Sequence, residues 1–113
     1  MYQPVEKAIA NLSESAQKLY LELVRRAQDE IEETGKTIYK SRISYQDIKD
    51  LLGKGIRDED IDLLTHEFLL SGVVIKNGRS TLFVSLVEII SIGENEISVT
   101  IHKDVYSRAK STI

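Results

Sequence analysis

The side chains able to do chemistry in this sequence are its cations, its carboxylates and two histidines, His66 and His102. The histidines lie far apart in the chain, and neither belongs to a metal-ligand spacing such as His-Glu-x-x-His. His66, on the mixed face of its helix, reads by default as a surface histidine. No carboxylate stands out as buried or paired by its spacing. Gly53-Lys54-Gly55 lacks the remainder of a phosphate-binding loop and is explained as a helix stop and a turn. Without cysteine there is no thiolate nucleophile, no disulfide framework and no cysteine-ligated zinc. The expectation is a protein that is not an enzyme and needs no cofactor, metal or small-molecule substrate.

The cations fit a different chemistry, the binding of phosphate. Lys36, Lys40 and Arg42 cluster ahead of one helix; Lys49, Lys54 and Arg57 line that helix and the turn after it; Lys76 and Arg79 flank Asn77-Gly78. Ser44, Tyr45 and Ser80 can add neutral hydrogen bonds. Contacts of this kind position a protein on DNA without reading its sequence, and duplex is expected ahead of single strands. The competing reading is that lysines at turns keep loops soluble and that charges beside a hairpin discourage edge pairing. A net charge of −3 excludes coating of nucleic acid by charge alone, not a local basic face.

These residues need elements to hold them. Leu12, Ala16, Leu19, Tyr20, Leu23, Val24, Ala27 and Ile31 recur at three- and four-residue steps, which predicts a long amphipathic helix from Ser13 to about Glu33. Ser13 is its expected N-cap and Thr34-Gly35 its stop. A short helix over Pro4 to Ala10 precedes it. Lys36 to Ile43 is a connector ending in a short strand. Ser44 with Asp47 resembles a capping box opening a two-turn helix, in which Ile48, Leu51 and Leu52 are the expected buried stripe.

Asp58 is the expected cap of a third helix ending near Ser71, with Ile61, Leu64, Phe68 and Leu69 inward and Leu63 and Leu70 widening that face. Asp58, Glu59 and Asp60 open this helix and Asp62 follows. Base-reading side chains are usually Arg, Lys, Asn or Gln, so these acids suit the helix dipole better than a DNA groove. Val73 to Lys76 and Ser80 to about Ile92 read as a hairpin with Asn77-Gly78 in a type I′ turn. After a second turn at Gly93 to Glu96, Ile97, Val99 and Ile101 alternate with polar residues as a strand, and a closing helix spans about His102 to Lys110.

Helices two and three form a helix-turn-helix and the hairpin serves as a wing. The expected fold is therefore α+β, a winged helix-turn-helix with a long N-terminal helix, a small antiparallel sheet and a β-hairpin wing. With 113 residues, no linker and no repeat, residues 1–113 make one domain.

Four stretches resemble the first winged-helix domain of iteron-binding plasmid replication initiator (Rep) proteins: "LSESAQKLYLELV" (Leu12–Val24), "ISYQDIKDLLG" (Ile43–Gly53), "FLLSGVVI" (Phe68–Ile75) and "SLVEIISIGENEISVTIHKDVYSRA" (Ser85–Ala109). The resemblance implies a DNA-binding domain in plasmid DNA replication that forms a homodimer or meets another replication protein. Such initiators carry two winged-helix domains in tandem, whereas this chain spans one. It is then a fragment or a free-standing relative, and the weight shifts toward assembly. Two alternatives stand beside this one: a winged-helix assembly adaptor binding a replication or partition protein, and a small transcriptional regulator with a palindromic target.

Self-association also follows from "TLFVSLVEIISI", where Leu82, Val84 and Leu86 fall on one face and Phe83, Val87 and Ile89 on the other. Two-sided hydrophobicity means that both faces are covered, or that the strand changes face at a bulge. No signal region or membrane-spanning run is present in the sequence, and the absence of cysteine suits a reducing cytoplasm, the expected location.

Overall fold

A computed structural model describes all 113 residues, Met1–Ile113. In chain order the elements are α1 (Val5–Ala10), α2 (Glu14–Thr34), β1 (Lys40–Ser44), α3 (Tyr45–Leu52), α4 (Asp58–Leu70), β2 (Gly72–Asn77), β3 (Ser80–Ser85), β4 (Ile89–Ile92), β5 (Glu96–Thr100) and α5 (Lys103–Ala109), with a 3₁₀ turn over Lys110–Thr112. The result is an α+β fold with two small antiparallel sheets. None of its helices is long and apolar enough to cross a membrane.

The spine is α2. Ser13 caps it by accepting from the Ala16 N–H, and Gly35 ends it at φ 68°, a left-handed conformation that glycine adopts without steric cost. Ala16, Leu19, Tyr20, Leu23, Val24 and Ala27 are fully buried along one face. Against that face pack β1, α3, α4 and α5. Phe68 from α4 lies 5.4 Å, ring centre to ring centre, from Tyr20. Burial of each such side chain contributes about 1.5–3 kcal/mol, so this seam accounts for much of the fold.

Ser44 caps α3 as its spacing predicts, accepting from the Asp47 N–H at 3.0 Å. The expected buried stripe is narrower, however: Ile48 is buried, Leu52 half-buried and Leu51 exposed. In α4 the N-cap is Arg57 rather than Asp58, because the Asp60 carboxylate reaches back to the Arg57 N–H at 3.0 Å. Its inner face is Ile61, Leu64, Thr65 and Phe68. Leu63, Leu69 and Leu70, expected inside, are exposed at 65%, 40% and 85%. The helix meets the rest of the molecule on a single side, so only one stripe is covered.

The segment Ser80–Ile92 is not one strand. β3 pairs with β2 in a two-stranded sheet, while β4 pairs with β5 in a separate sheet ordered β1-β5-β4. Between them Leu86 and Val87 turn inward and are fully buried. The two-sided apolar pattern thus marks a chain leaving one sheet for another, not a strand covered on both faces. The β2–β3 turn also differs from expectation. Asn77 pairs with Ser80 inside the ladder, which leaves Gly78 and Arg79 as the central residues. Only Gly78 has positive φ, at 61°, so the turn is of the type II′ kind rather than I′.

Candidate nucleic-acid interface

The side chains expected to meet DNA fall into three groups that the fold holds apart. The first lies along β1. Its residues alternate between the exposed Lys40 and Arg42 and the buried Ser41 and Ile43. Across the ladder Lys40 faces Thr100, Arg42 faces Ser98 and Ser44 faces Glu96. Lys36 stands exposed just beyond the end of α2. No carboxylate lies within 4.0 Å of Lys36, Lys40 or Arg42, so all three ammonium or guanidinium groups are uncommitted.

These cations border two adjoining hollows that share Glu30 and Lys40. One, of about 320 Å³, is lined by Glu30, Lys40, Ser41, Arg42, Glu96 and Ser98. The other, of about 260 Å³, takes in Thr34, Lys36 and Ile38. The first hollow has no hydrophobic residue in its lining, and Glu30 and Glu96 stand among its cations. The Ser41 hydroxyl, buried at its wall, has no hydrogen-bond partner.

The second group, on α3 and the turn between α3 and α4, is largely engaged. Lys49 pairs with Asp58 at 3.3 Å, and Arg57 lies 3.6 Å from Asp60 and 3.9 Å from Glu59. Ser44 is occupied as the cap of α3. Tyr45 is half-buried, and burial, followed by the negative field of Asp62 and Asp58, pushes its phenol above the usual value. Lys54 is the only cation here free of an acid. The acids at the start of α4 therefore do more than favour the dipole: they neutralise the turn.

The third group is the β2–β3 tip. Lys76 and Arg79 are exposed and unpaired, but Asn77 donates to Asp104 at 3.2 Å, which draws the tip to the start of α5. This hairpin packs on α1, α5 and α4, with the Ser85 hydroxyl of β3 donating to the Leu69 carbonyl at 2.9 Å. The β4–β5 hairpin meets the start of α3 at its turn, where the Asn95 carbonyl accepts from the Tyr45 N–H at 2.9 Å. Its turn carries Glu94 and Glu96, so the loop nearest α3 is acidic.

No family model matches the chain, and neither a curated protein nor a solved structure matches it. The site must therefore be judged on its own chemistry.

Two features of the site are invisible to a sequence reading. Ser98 and Thr100 come to flank Arg42 and Lys40 only through the β1–β5 register, which no local pattern encodes. Arg26 has Glu30 at i+4 but does not pair with it; it instead bonds Glu22 at 2.8 Å and Asp47 at 3.1 Å, tying α2 to α3. That leaves Glu30 to the groove. Arg25 does reach Asp29, at 2.8 Å. Glu22, shared between the two guanidiniums and hydrogen-bonded most strongly to Arg25, is held below the usual carboxylate range. Of the histidines, His66 is exposed, and His102 caps α5 by accepting from the Asp104 N–H at 3.1 Å.

Proposed function

We propose that the chain is a winged-helix DNA-binding module, akin to the first domain of a plasmid replication initiator, that holds duplex phosphate through Lys36, Lys40 and Arg42. Support for the winged-helix reading comes from connectivity: β1 lies between α2 and α3 and pairs with the return strand of the β4–β5 hairpin that follows the helix-turn-helix. In that reading β4–β5 is the wing and β2–β3 is an insertion.

The observation that carries the DNA reading is the line of free cations on β1. Lys40 and Arg42 stand on one face at about 6.6 Å, twice the rise per residue of a strand. The hydroxyls of Ser98 and Thr100 lie opposite them. Such a row suits successive phosphates along a backbone and reads no bases.

Fluorescence anisotropy of labelled duplex DNA over a salt series tests this. Affinity should fall as salt rises. Lys40→Glu with Arg42→Glu should weaken binding to all sequences and flatten the log-log slope by about 1 for each phosphate no longer neutralised. The same exchange at Lys76 and Arg79 should have the smaller effect. Equal affinity for the β1 variant and the parent would remove this site.

A second reading, a winged-helix assembly adaptor that does not bind DNA, is favoured by the acids at the start of α4 and by Glu94 and Glu96 beside α3. It expects no binding to duplex or single strands even at low salt.

A further inference from the structure

We propose that β3 is a docking edge for a second copy of this chain, with two β3 strands pairing antiparallel about Phe83 to make one four-stranded sheet. The inference is independent of the DNA reading, because none of its residues belongs to the β1 groove.

The fold treats its strand edges unequally. The outer side of β2 is occupied by the N-terminal segment, where Gln3 donates to the Gly72 carbonyl at 3.2 Å and accepts from the Val74 N–H at 2.9 Å. β1 is guarded by Lys40 and Arg42, and β4 is short. β3 has none of these protections. "STLFVS" contains no charge and no proline, and its ladder with β2 runs without a bulge from Ser80 to Ser85. Exposed, unbulged, uncharged edges of this kind pair with other strands unless something covers them.

The main chain fixes how such a pairing would run. Gly72 and Val74 spend their outward groups on Gln3, so Val73, Ile75 and Asn77 are the residues of β2 that bond to Val84, Leu82 and Ser80. The N–H and C=O groups of Thr81 and Phe83 therefore point away from β2. Two such edges can meet antiparallel with Phe83 facing Phe83 of the partner subunit and Thr81 facing Ser85 of the partner subunit.

Side chains agree with that register. Phe83 is 57% exposed, and its ring meets Tyr2 edge to face at 4.9 Å. Leu69 and Leu70 lie beside Tyr2 across Gly72 and Ser85. Pairing about Phe83 joins the two apolar patches across the two-fold axis. It also carries the cationic Arg79 to the level where the partner subunit's chain leaves β3 toward Glu88. An uncharged, self-matching strand with a cation at one end and an acid past the other fits its own copy better than a charged peptide.

The chain has no cysteine, which gives a direct test. Residues facing each other in a hydrogen-bonded antiparallel pair have Cα atoms about 5.5 Å apart, within reach of a disulfide. The Phe83→Cys chain should form a covalent dimer on oxidation, whereas the Leu63→Cys chain, altered at an exposed position of α4 outside the apolar patch, should not. Sedimentation of the parent should show a concentration-dependent dimer, and Phe83→Lys should give a monomer with unchanged far-UV circular dichroism. Hydrogen exchange should show Thr81 and Phe83 amides protected at high protein concentration and open at low. A parent that is monomeric at every concentration overturns the proposal. So does a Phe83→Lys dimer, or a parent dimer whose Phe83→Cys form fails to cross-link.

Discussion

Glu67 on α4 accepts two hydrogen bonds from Ser13, the cap of α2, one from its N–H at 3.0 Å and one from its hydroxyl at 2.7 Å. The same hydroxyl oxygen accepts from the Ala16 N–H at 3.3 Å, so one side chain closes the helix and clips it to α4. The carboxylate also places negative charge at the positive end of α2. Ser13→Ala should cost about 1–2 kcal/mol in urea unfolding, combining the lost cap with the lost tie. Glu67→Ala should cost less, and the double change should fall short of the sum by about 0.5–1 kcal/mol. Strict additivity would mean that the tie contributes nothing.

Most local signals in the sequence proved readable, the cap of α4 and the β2–β3 turn type excepted, and the pairing of distant segments did not. Ser13, Gly35, Ser44 and the α2 stripe each declare themselves within a few residues, because capping and helical periodicity are local physics. The split at Leu86 and Val87 is nonlocal: nothing in "TLFVSLVEIISI" says that its halves belong to different sheets, and a change of sheet mimics a strand covered on both faces. The same blindness hid the contact between Tyr45 and Asn95, which sets the acidic β4–β5 turn at the start of α3, while the basic tip of β2–β3 is drawn to Asp104. At the candidate site the free cations of β1 were legible as residue types. Their freedom, and the engagement of Lys49 and Arg57 by Asp58 and Asp60, became visible only when the start of α4 folded onto the turn before it.

Leu86 is held by Tyr20, whose hydroxyl donates to its carbonyl at 2.9 Å in the core. Tyr20→Phe keeps the packing but strands that carbonyl, and should lower stability by about 1–2 kcal/mol. Burial pushes the phenol far above its ordinary value of 10.0. The unfolded chain releases this proton as pH rises past that value while the folded chain keeps it. The stabilisation is therefore complete below the ordinary value and declines as pH climbs above it. Alkaline titration followed at the phenolate absorbance should show Tyr20 silent until the chain unfolds. A Tyr20→Phe chain with the same alkaline loss of stability would remove Tyr20 as its cause.

The β2–β3 turn makes a sharper claim on Gly78 than on its neighbours. At φ 61° as the first central residue, it occupies a conformation that a side chain disfavours by about 1 kcal/mol. Gly78→Ala should destabilise by roughly that amount. Asn77→Thr, within the ladder, should change stability little beyond its tie to Asp104. If Asn77→Thr proved the more damaging in thermal unfolding, Asn77 would be a turn residue after all.

Gly72 is required for a different reason, since its φ is not positive and the demand is one of space. A Cβ at this position would come 2.7 Å from one carbon of the Tyr2 ring and 2.9 Å from the next. Tyr2 is half exposed and near the chain end, so the ring can swing aside at modest cost. Gly72→Ala should therefore lower stability by less than about 1 kcal/mol while parting Tyr2 from Phe83. Ring-current shifts on the Phe83 protons report that contact directly and should collapse toward those of a Tyr2→Ala chain. Undiminished shifts in Gly72→Ala would show that the Tyr2 ring reaches Phe83 by a route that does not cross Gly72.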